Sequence, residues 1–424
     1  MPNQVNTEQL GVEEYRQRAR AWLEANLERR SPGPQEPIYM NMSDKTDESI
    51  SVERALQRKL YEAGYFGITW PAEYGGQGLS QEYQDAFTAE ARGFRLPDFG
   101  VAGGTTFGVC TPTMLRHGSP EFLRRHIPAI AAGDALVVQF FSDPEAGSDL
   151  AGVRTQAVRD GDQWVLNGSK IWSSGAYYAD YGMCLARTDW DAPKHQGLTW
   201  FLVPLRAKGV TVQRIRQVNG NAEFCQEFFD DVLLTSDDII GEVNGGWTVA
   251  QSMLLFERGG GNRSPKATDF RELPADLLKA AAETGRLDDP RAQDVIVGAH
   301  IDDVACAALM RRIGSLIRAD PRMGSAYASY GKLASATYDP IRAGAELELA
   351  GGAVAWDDPG SAVAAAAKDL LNSRFMAIAG GTTQMQLNGI GERVLGLPRE
   401  PSFDSVKPFR QVVKDAKNWS GKVS

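Results

Sequence analysis

The sequence predicts an α+β protein in three segments: an α-helical domain over residues 1–135, a central antiparallel β-domain over 136–243, and a second α-helical domain over 244–424. Three observations lead there. Apolar residues recur at helical spacing as far as Gly133. From 135 to 230 the apolar runs are short, β-branched or aromatic, and are separated by Asp160-Gly161, Asn167-Gly168 and Lys208-Gly209. From Gly246 the helical period returns.

Each element has its own reason. Residues 8–30 put Val12, Tyr15, Ala19, Trp22 and Leu23 on one helix face. A polar, Pro-rich link over 31–49 leads to a helix over Glu53–Ala63, with Gly64 placed to close it. Gly67–Gly78 is a turn-rich connector anchored by Trp70. Helices follow over Glu82–Gly93 and Phe107–His117. Ser119 then caps a helix with Pro120 in its first position, running to Ala132. Strands are expected at 135–142, 153–159, 163–166, 181–187, 198–203, 210–218 and 224–230. The last segment reads as helices over Trp247–Arg258, 292–319, 324–350 and 362–379, the first closed by Gly259-Gly260-Gly261.

The bulk numbers narrow the function. A chain of 424 residues exceeds one ordinary core. Hydrophobic and charged fractions of 43% and 23% are those of a water-soluble globular protein. A formal net charge of −9 disfavours a nucleic-acid partner but leaves room for a local basic patch toward a phosphorylated ligand. Cys110, Cys184, Cys225 and Cys306 form no CxxC pair, and the four His show no metal spacing. A reduced, cytoplasmic setting and no metal site are therefore expected. The first residues are acidic and lack an apolar stretch, so no signal peptide is expected, and no apolar run is long enough to predict a membrane span.

Two stretches carry chemistry. In Gln139–Leu150 a strand breaks at Ser142-Asp143-Pro144 into a tight loop. There Gly147 permits close backbone approach to a ligand, and Ser148 offers a hydroxyl and an N–H. In Asn167–Ser174 a large aromatic, Trp172, stands two residues before the hydroxyl of Ser174. A stacking wall beside hydrogen-bonding groups is what a flat redox cofactor needs.

Ser142-Asp143-Pro144-Glu145-Ala146-Gly147-Ser148-Asp149 followed by Asn167-Gly168-Ser169-Lys170-Ile171-Trp172-Ser173-Ser174 resembles the paired motifs of the acyl-CoA dehydrogenase family. Trp70-Pro71 through Gly78 is similar to a third motif, and the resemblance spans nearly the whole chain. It implies a C-terminal domain like a four-helix bundle, bound FAD, and α,β-dehydrogenation of an acyl-CoA thioester. It also implies electron transfer to an electron-transfer flavoprotein and assembly as a homodimer, tetramer or heterotetramer. Carried over by motif, the FAD contacts are Gln139, Phe141, Ser142, Gly147, Ser148, Trp172, Ser173, Ser174, Thr382 and Gln384, and the substrate contacts are Ser148, Arg258 and Gly381.

The base is where the sequence departs. Many members carry it in a Tyr-Glu-Gly-Thr motif, but Gly380 stands in place of that Glu. A second family solution, in isovaleryl-type and sterol-side-chain-type members, sets Glu before Arg in the first helix of the C-terminal domain. The match is Glu257-Arg258, behind Leu254-Leu255-Phe256. Taken alone, Glu257 reads as an ion-pair partner or a solvated residue; with the resemblance it is the expected base. The run from Ala379 to Glu400 is similar to a branch acting on sterol side chains, pimeloyl-CoA and other bulky acyl groups. Leu387 and Gln384 replace that branch's Arg and Glu. Its Phe-Asn-Glu-Val pattern reads Phe224-Cys225-Gln226-Glu227 here, and no Arg-x-x-Phe-Gly motif is evident. These departures leave two alternatives open: a non-catalytic subunit of a heteromer, or a flavin oxidase or monooxygenase on the same fold.

Overall fold

A computed structural model describes residues 10–30, 44–257, 271–352, 361–399, 401–402 and 404–418. Arg258, the triple glycine after it, residues 8–9 and most of the 31–49 link lie outside these. The described residues belong to two compact units. One draws on Met1–Arg216, Asn221–Met253 and Phe403–Ser424; the other on Gln217–Gly220 and Leu254–Ser402.

The first unit begins with helices. α1 (Val12–Asn26) buries Tyr15, Ala19 and Leu23, the face expected from spacing. α2 (Asp47–Glu62) starts earlier than expected, inside the predicted link. There Thr46 and Ser49 cap it reciprocally, each hydroxyl accepting the other's backbone N–H. Ser and Thr suit both loops and caps, so composition alone misplaced this boundary. Gly64 closes α2 with φ 79°, its N–H reaching Tyr61 O while that of Tyr65 reaches Leu60 O. After α3 (Gln81–Ala91) come α4 (Gly100–Thr105), a π turn at Thr106–Cys110 and α5 (Thr111–His117). This run starts well before the predicted Phe107, because Gly100, Gly103 and Gly104 mask its first turn. α6 (Pro120–Ala131) is capped as expected, Ser119 Oγ accepting from Phe122 N.

The described residues then form an eight-stranded sheet. Its strands are β1 (Val137–Phe140), β2 (Gln156–Asp160), β3 (Gln163–Ser174), β4 (Tyr181–Arg187), β5 (Leu198–Pro204), β6 (Val210–Arg214), β7 (Phe224–Thr235) and β8 (Ile239–Ile240). The order is β6-β7-β3-β2-β4-β5-β8, with β1 beside β4. The expected antiparallel domain is in fact mixed: β1 and, at one residue pair, β2 run parallel to β4. Hairpin signals show only local pairings, and these two are made across long intervening segments.

Asn167-Gly168, predicted as a turn, lies within β3. Gly168 is required there by closeness: a Cβ on it would stand 2.7 Å from Thr155 Cα. The register shifts beside it, and again between Ile171 and Ser173, where Trp172 bulges out with φ 69°. The sheet interior is apolar at Phe140, Leu166, Phe201 and Phe229, but it also holds Lys170, which is fully buried. Lys170 Nζ pairs with Asp143 Oδ1 at 2.7 Å and donates to Phe141 O at 2.8 Å.

α7 (Gly246–Glu257) gives its first turns to this unit, where Trp200 Nε1 donates to Gly246 O and Ser252 Oγ meets His117 Nε2. The other unit takes the last turn of α7 and adds α8 (Ala275–Glu283), α9 (Pro290–Ala319), α10 (Gly324–Ala350), α11 (Ala362–Ser373) and α12 (Thr383–Arg393). α8 lies where no helix was expected, yet it buries Leu277, Ala280 and Ala281 against Ile296 and Leu349. α11 ends before the expected 379, giving way to a 3₁₀ turn over Arg374–Ala377. α13 (Phe409–Lys417) belongs to the first unit, where Phe409 is covered by the buried Arg187 guanidinium, 4.0 Å from its ring centre. Among the described residues, no helix is long and apolar enough to cross a membrane.

Two substitutions test this packing. A Cβ on Gly182 would stand 2.0 Å from the Phe140 ring; Gly182→Ala is expected to destabilise the first unit by about 1–3 kcal/mol. Lys170→Met leaves the Asp143 carboxylate buried without its cation and is expected to cost about 3–5 kcal/mol. Urea unfolding followed by tryptophan fluorescence measures both, and unchanged midpoints would contradict these packing roles.

Candidate active site

The loop after β1 is held from below. Asp143 is buried and accepts from Thr155 N at 2.7 Å, Thr155 Oγ1 at 2.9 Å and Arg154 N, besides pairing with Lys170. Ile171 N donates to Ser142 O, so the loop is stitched to β3 as well. Glu145 pairs with Arg154, and Asp149 with Lys194, which also binds Asp404 near α13. With its underside fixed, the loop leaves Gly147 and Ser148 exposed, and a Cβ on Gly147 would meet nothing within 4 Å.

The bulge in β3 supplies the aromatic. Trp172 is 57% exposed, with Phe224 edge-on to its ring at 5.9 Å. Flanking residues alternate as a strand requires. Ser174 is partly exposed, whereas Ser173 turns inward and its Oγ donates to Glu227 Oε2 at 2.9 Å. Phe141 directs its ring into the core, edge-on to Trp200 at 5.1 Å. Gln139 is half-buried, and its Oε1 is buried with no hydrogen-bond partner among the described residues. Thus Ser142, Gly147, Ser148, Trp172 and Ser174 leave an exposed or partly exposed surface in the first unit, while the side chains of Phe141 and Ser173 face its interior.

The second unit holds the remaining residues. Gly380 and Gly381 adopt φ of 62° and 90°, a conformation that favours glycine. Gln386, almost fully buried, fixes this Gly-Gly turn by donating to both carbonyls at 3.1 Å. Thr382 caps α12, its Oγ1 accepting from Met385 N, and Gln384 is exposed in the first turn. Glu257 is half-buried at the end of α7. A Cβ on Gly380 would stand 3.5 Å from Glu257 Oε1 and 3.4 Å from Lys332 Cε, while Lys332 Nζ donates to Met376 O. Gly380 therefore gives the Glu257 carboxylate room that a side chain there would contest.

Several polar residues that organise these sites escaped sequence reasoning: Thr155, Glu227, Lys332 and Gln386. Asp143 and Lys170 were visible inside the motifs but not as a pair. Tyr178 is a core residue, its hydroxyl donating to Phe99 O and accepting from Ala102 N. Tyr177 accepts from Lys45 N, under the Arg214 guanidinium. His195 is half-buried with its ring edge-on to Trp247 at 4.6 Å, and burial lowers its pKa. Two cavities of the first unit, one around Trp164 and Trp190 and one around Phe122 and Arg125, share no residue with the site.

Comparison with known proteins agrees with this picture. The family model "Acyl-CoA dehydrogenase, N-terminal domain" matches residues 13–134, and "Acyl-CoA dehydrogenase, middle domain" matches 139–232. The chain is 34% identical to acyl-CoA dehydrogenase IpdE1 of Mycobacterium tuberculosis, over 92% of this chain and 98% of that one. It is 36% identical to acyl-CoA dehydrogenase FadE34 of the same organism, over 82% of this chain but 47% of that longer protein. Among solved structures, the Tcur3481-Tcur3483 steroid ACAD is 26% identical with a TM-score of 0.70, over 92% of this chain and 98% of that one. The ChsE4-ChsE5 complex from Mycobacterium tuberculosis is 27% identical with a TM-score of 0.65, at the same coverage. The paired motifs, the mixed sheet between helical segments and these likenesses agree that the chain is an enzyme belonging to the acyl-CoA dehydrogenase family of flavoprotein oxidoreductases.

Proposed function

We propose that this chain binds FAD and performs the α,β-dehydrogenation of an acyl-CoA thioester, with Glu257 as the base and an electron-transfer flavoprotein as the electron acceptor. The observation that carries the proposal is the closeness of Glu257 Oε1 to Gly380. Where relatives carry a Tyr-Glu-Gly-Thr glutamate, this chain has no side chain, and a carboxylate from α7 stands beside the gap. FAD, when bound, supplies the hydride acceptor. The residues present suit it: Trp172 offers an exposed ring face, Ser142, Ser148 and Ser174 offer hydroxyls, and Gln139 has an oxygen without a partner among the described residues. Thr382 and Gln384 are the proposed contacts from α12, and Ser148, Gly381 and Arg258 those toward the substrate.

The rest follows from acid strength. The α-C–H of a thioester is a weak acid, so its base must be shielded from water. Leu254, Leu255 and Phe256 precede Glu257 and make this end of α7 apolar in sequence. The name of the steroid ACAD, a structural relative, supports a bulky acyl group, and a panel of CoA esters from short branched to steroid would define it. The Tcur3481-Tcur3483 steroid ACAD and the ChsE4-ChsE5 complex each join two differently named chains, which favours pairing with a second, different chain over a homodimer or homotetramer. In such a pair this chain is either the active or the non-catalytic partner.

Glu257→Gln, mixed anaerobically with a substrate ester, is expected to slow flavin bleaching by roughly 10²–10⁴-fold. Bleaching at the wild-type rate removes Glu257 from the role. Trp172→Ala is expected to weaken FAD binding to the apoprotein about tenfold, read by flavin fluorescence titration. A purified wild-type chain without flavin absorbance that takes up none on titration would identify the non-catalytic partner instead.

A further inference from the structure

We infer that Glu227 is a positioning residue for the flavin-facing edge: it holds the Trp172 bulge through Ser173, and its charge state sets the electrostatic potential beneath that bulge. This inference rests on the proposed FAD site. Glu227 lies on β7 directly across from Lys170 on β3 and is fully buried. Ser173 Oγ donates to its Oε2 at 2.9 Å, while Oε1 is buried with no hydrogen-bond partner among the described residues. The register shift that expels Trp172 falls between Ile171 and Ser173, one residue from the hydroxyl Glu227 holds.

The groups facing Glu227 are Ser173 and Lys170 from β3, Cys184 from β4 and Cys225 from β7 itself. Lys170 is committed to Asp143 and Phe141 O, and burial pushes both thiols up to about 12, so they stay neutral. Burial likewise pushes Glu227 up to about 8, against the weaker pull of the Ser173 hydroxyl and Lys170. Below that pH the carboxyl is neutral. Above it, a negative charge forms against Ser173, the neighbour of Trp172, and disfavours electron uptake by a flavin bound there.

Three readouts on Glu227→Gln test this, since Gln keeps an acceptor for Ser173 but cannot ionise. In flavin-free protein, the fluorescence of Trp172, isolated by subtracting the Trp172→Phe signal, is expected to change near pH 8 in wild type and not in Glu227→Gln. Folded Glu227 holds its proton more tightly than the unfolded group, whose ordinary value is 4.5. Wild type is therefore expected to lose stability as pH rises from about 4.5 to 8 relative to Glu227→Gln. With FAD bound, the wild-type midpoint potential is expected to fall more steeply above pH 8 than that of the variant. Identical Trp172 titrations in wild type and Glu227→Gln overturn the inference. Glu227→Val, which removes the acceptor, is expected to change Trp172 emission already at pH 6, and an unchanged spectrum overturns the holding role. Because the first two measurements need no flavin, failure of the FAD reading alone leaves them intact.

Discussion

A lysine and an aspartate that have given up water hold the active edge of the first unit together. Either Lys170 or Asp143 alone in that interior would face a desolvation cost of several kcal/mol. The cost is met by the completeness of their bonding: the ammonium has Asp143 Oδ1 and Phe141 O, and the carboxylate has Lys170, two backbone N–H groups and the Thr155 hydroxyl. These bonds join the end of β1, the loop after it, the start of β2 and the middle of β3. Ser142 and Trp172 therefore stand on one cross-braced piece of backbone, and the exposed groups inherit their placement from charges no solvent reaches.

Much of this was legible in the sequence. Ser119-Pro120, Gly64 and Gly133 marked helix ends because caps and left-handed closures demand few residue types. The paired motifs located the edge proposed to face the flavin because a loop open to a ligand and a strand that expels a tryptophan constrain their neighbours closely. Other features left weaker traces. The Thr46–Ser49 box looked like linker, and α8 looked like loop, because short helices stabilised by tertiary burial need no strong local signal. Asn167-Gly168 read as a turn because the same dipeptide serves hairpins and close strand crossings. Lys170, Glu227 and Gln386 were illegible as buried residues: polar side chains imply exposure until their partners, distant in sequence, are known.

The second unit repeats the lesson in another form. Arg342 on α10 bonds Asp276 at 2.6 Å and Glu346 at 2.9 Å, with Asp303 at 3.5 Å. More acids than cations meet there, and burial raises Glu346 to about 7. Helix packing here relies on small residues, Gly331 against Met310 and Ala336 and Ala343 buried on the same helix, so the charged cluster supplies directional contacts that alanine cannot.

Gly380 has a consequence for how such an enzyme changes over time. Its backbone is left-handed, and the volume beyond its Cα is already bordered by Glu257 Oε1 and Lys332 Cε. A glutamate introduced at 380 would meet backbone strain and a second carboxylate in one small space. An acid at 380 and the carboxylate of Glu257 would therefore border the same niche. A lineage passing between them must cross either a sequence with both acids, crowded and mutually repelling, or one with neither. That barrier gives the single missing side chain at 380 a historical weight: it would hold the base proposed at Glu257 on α7.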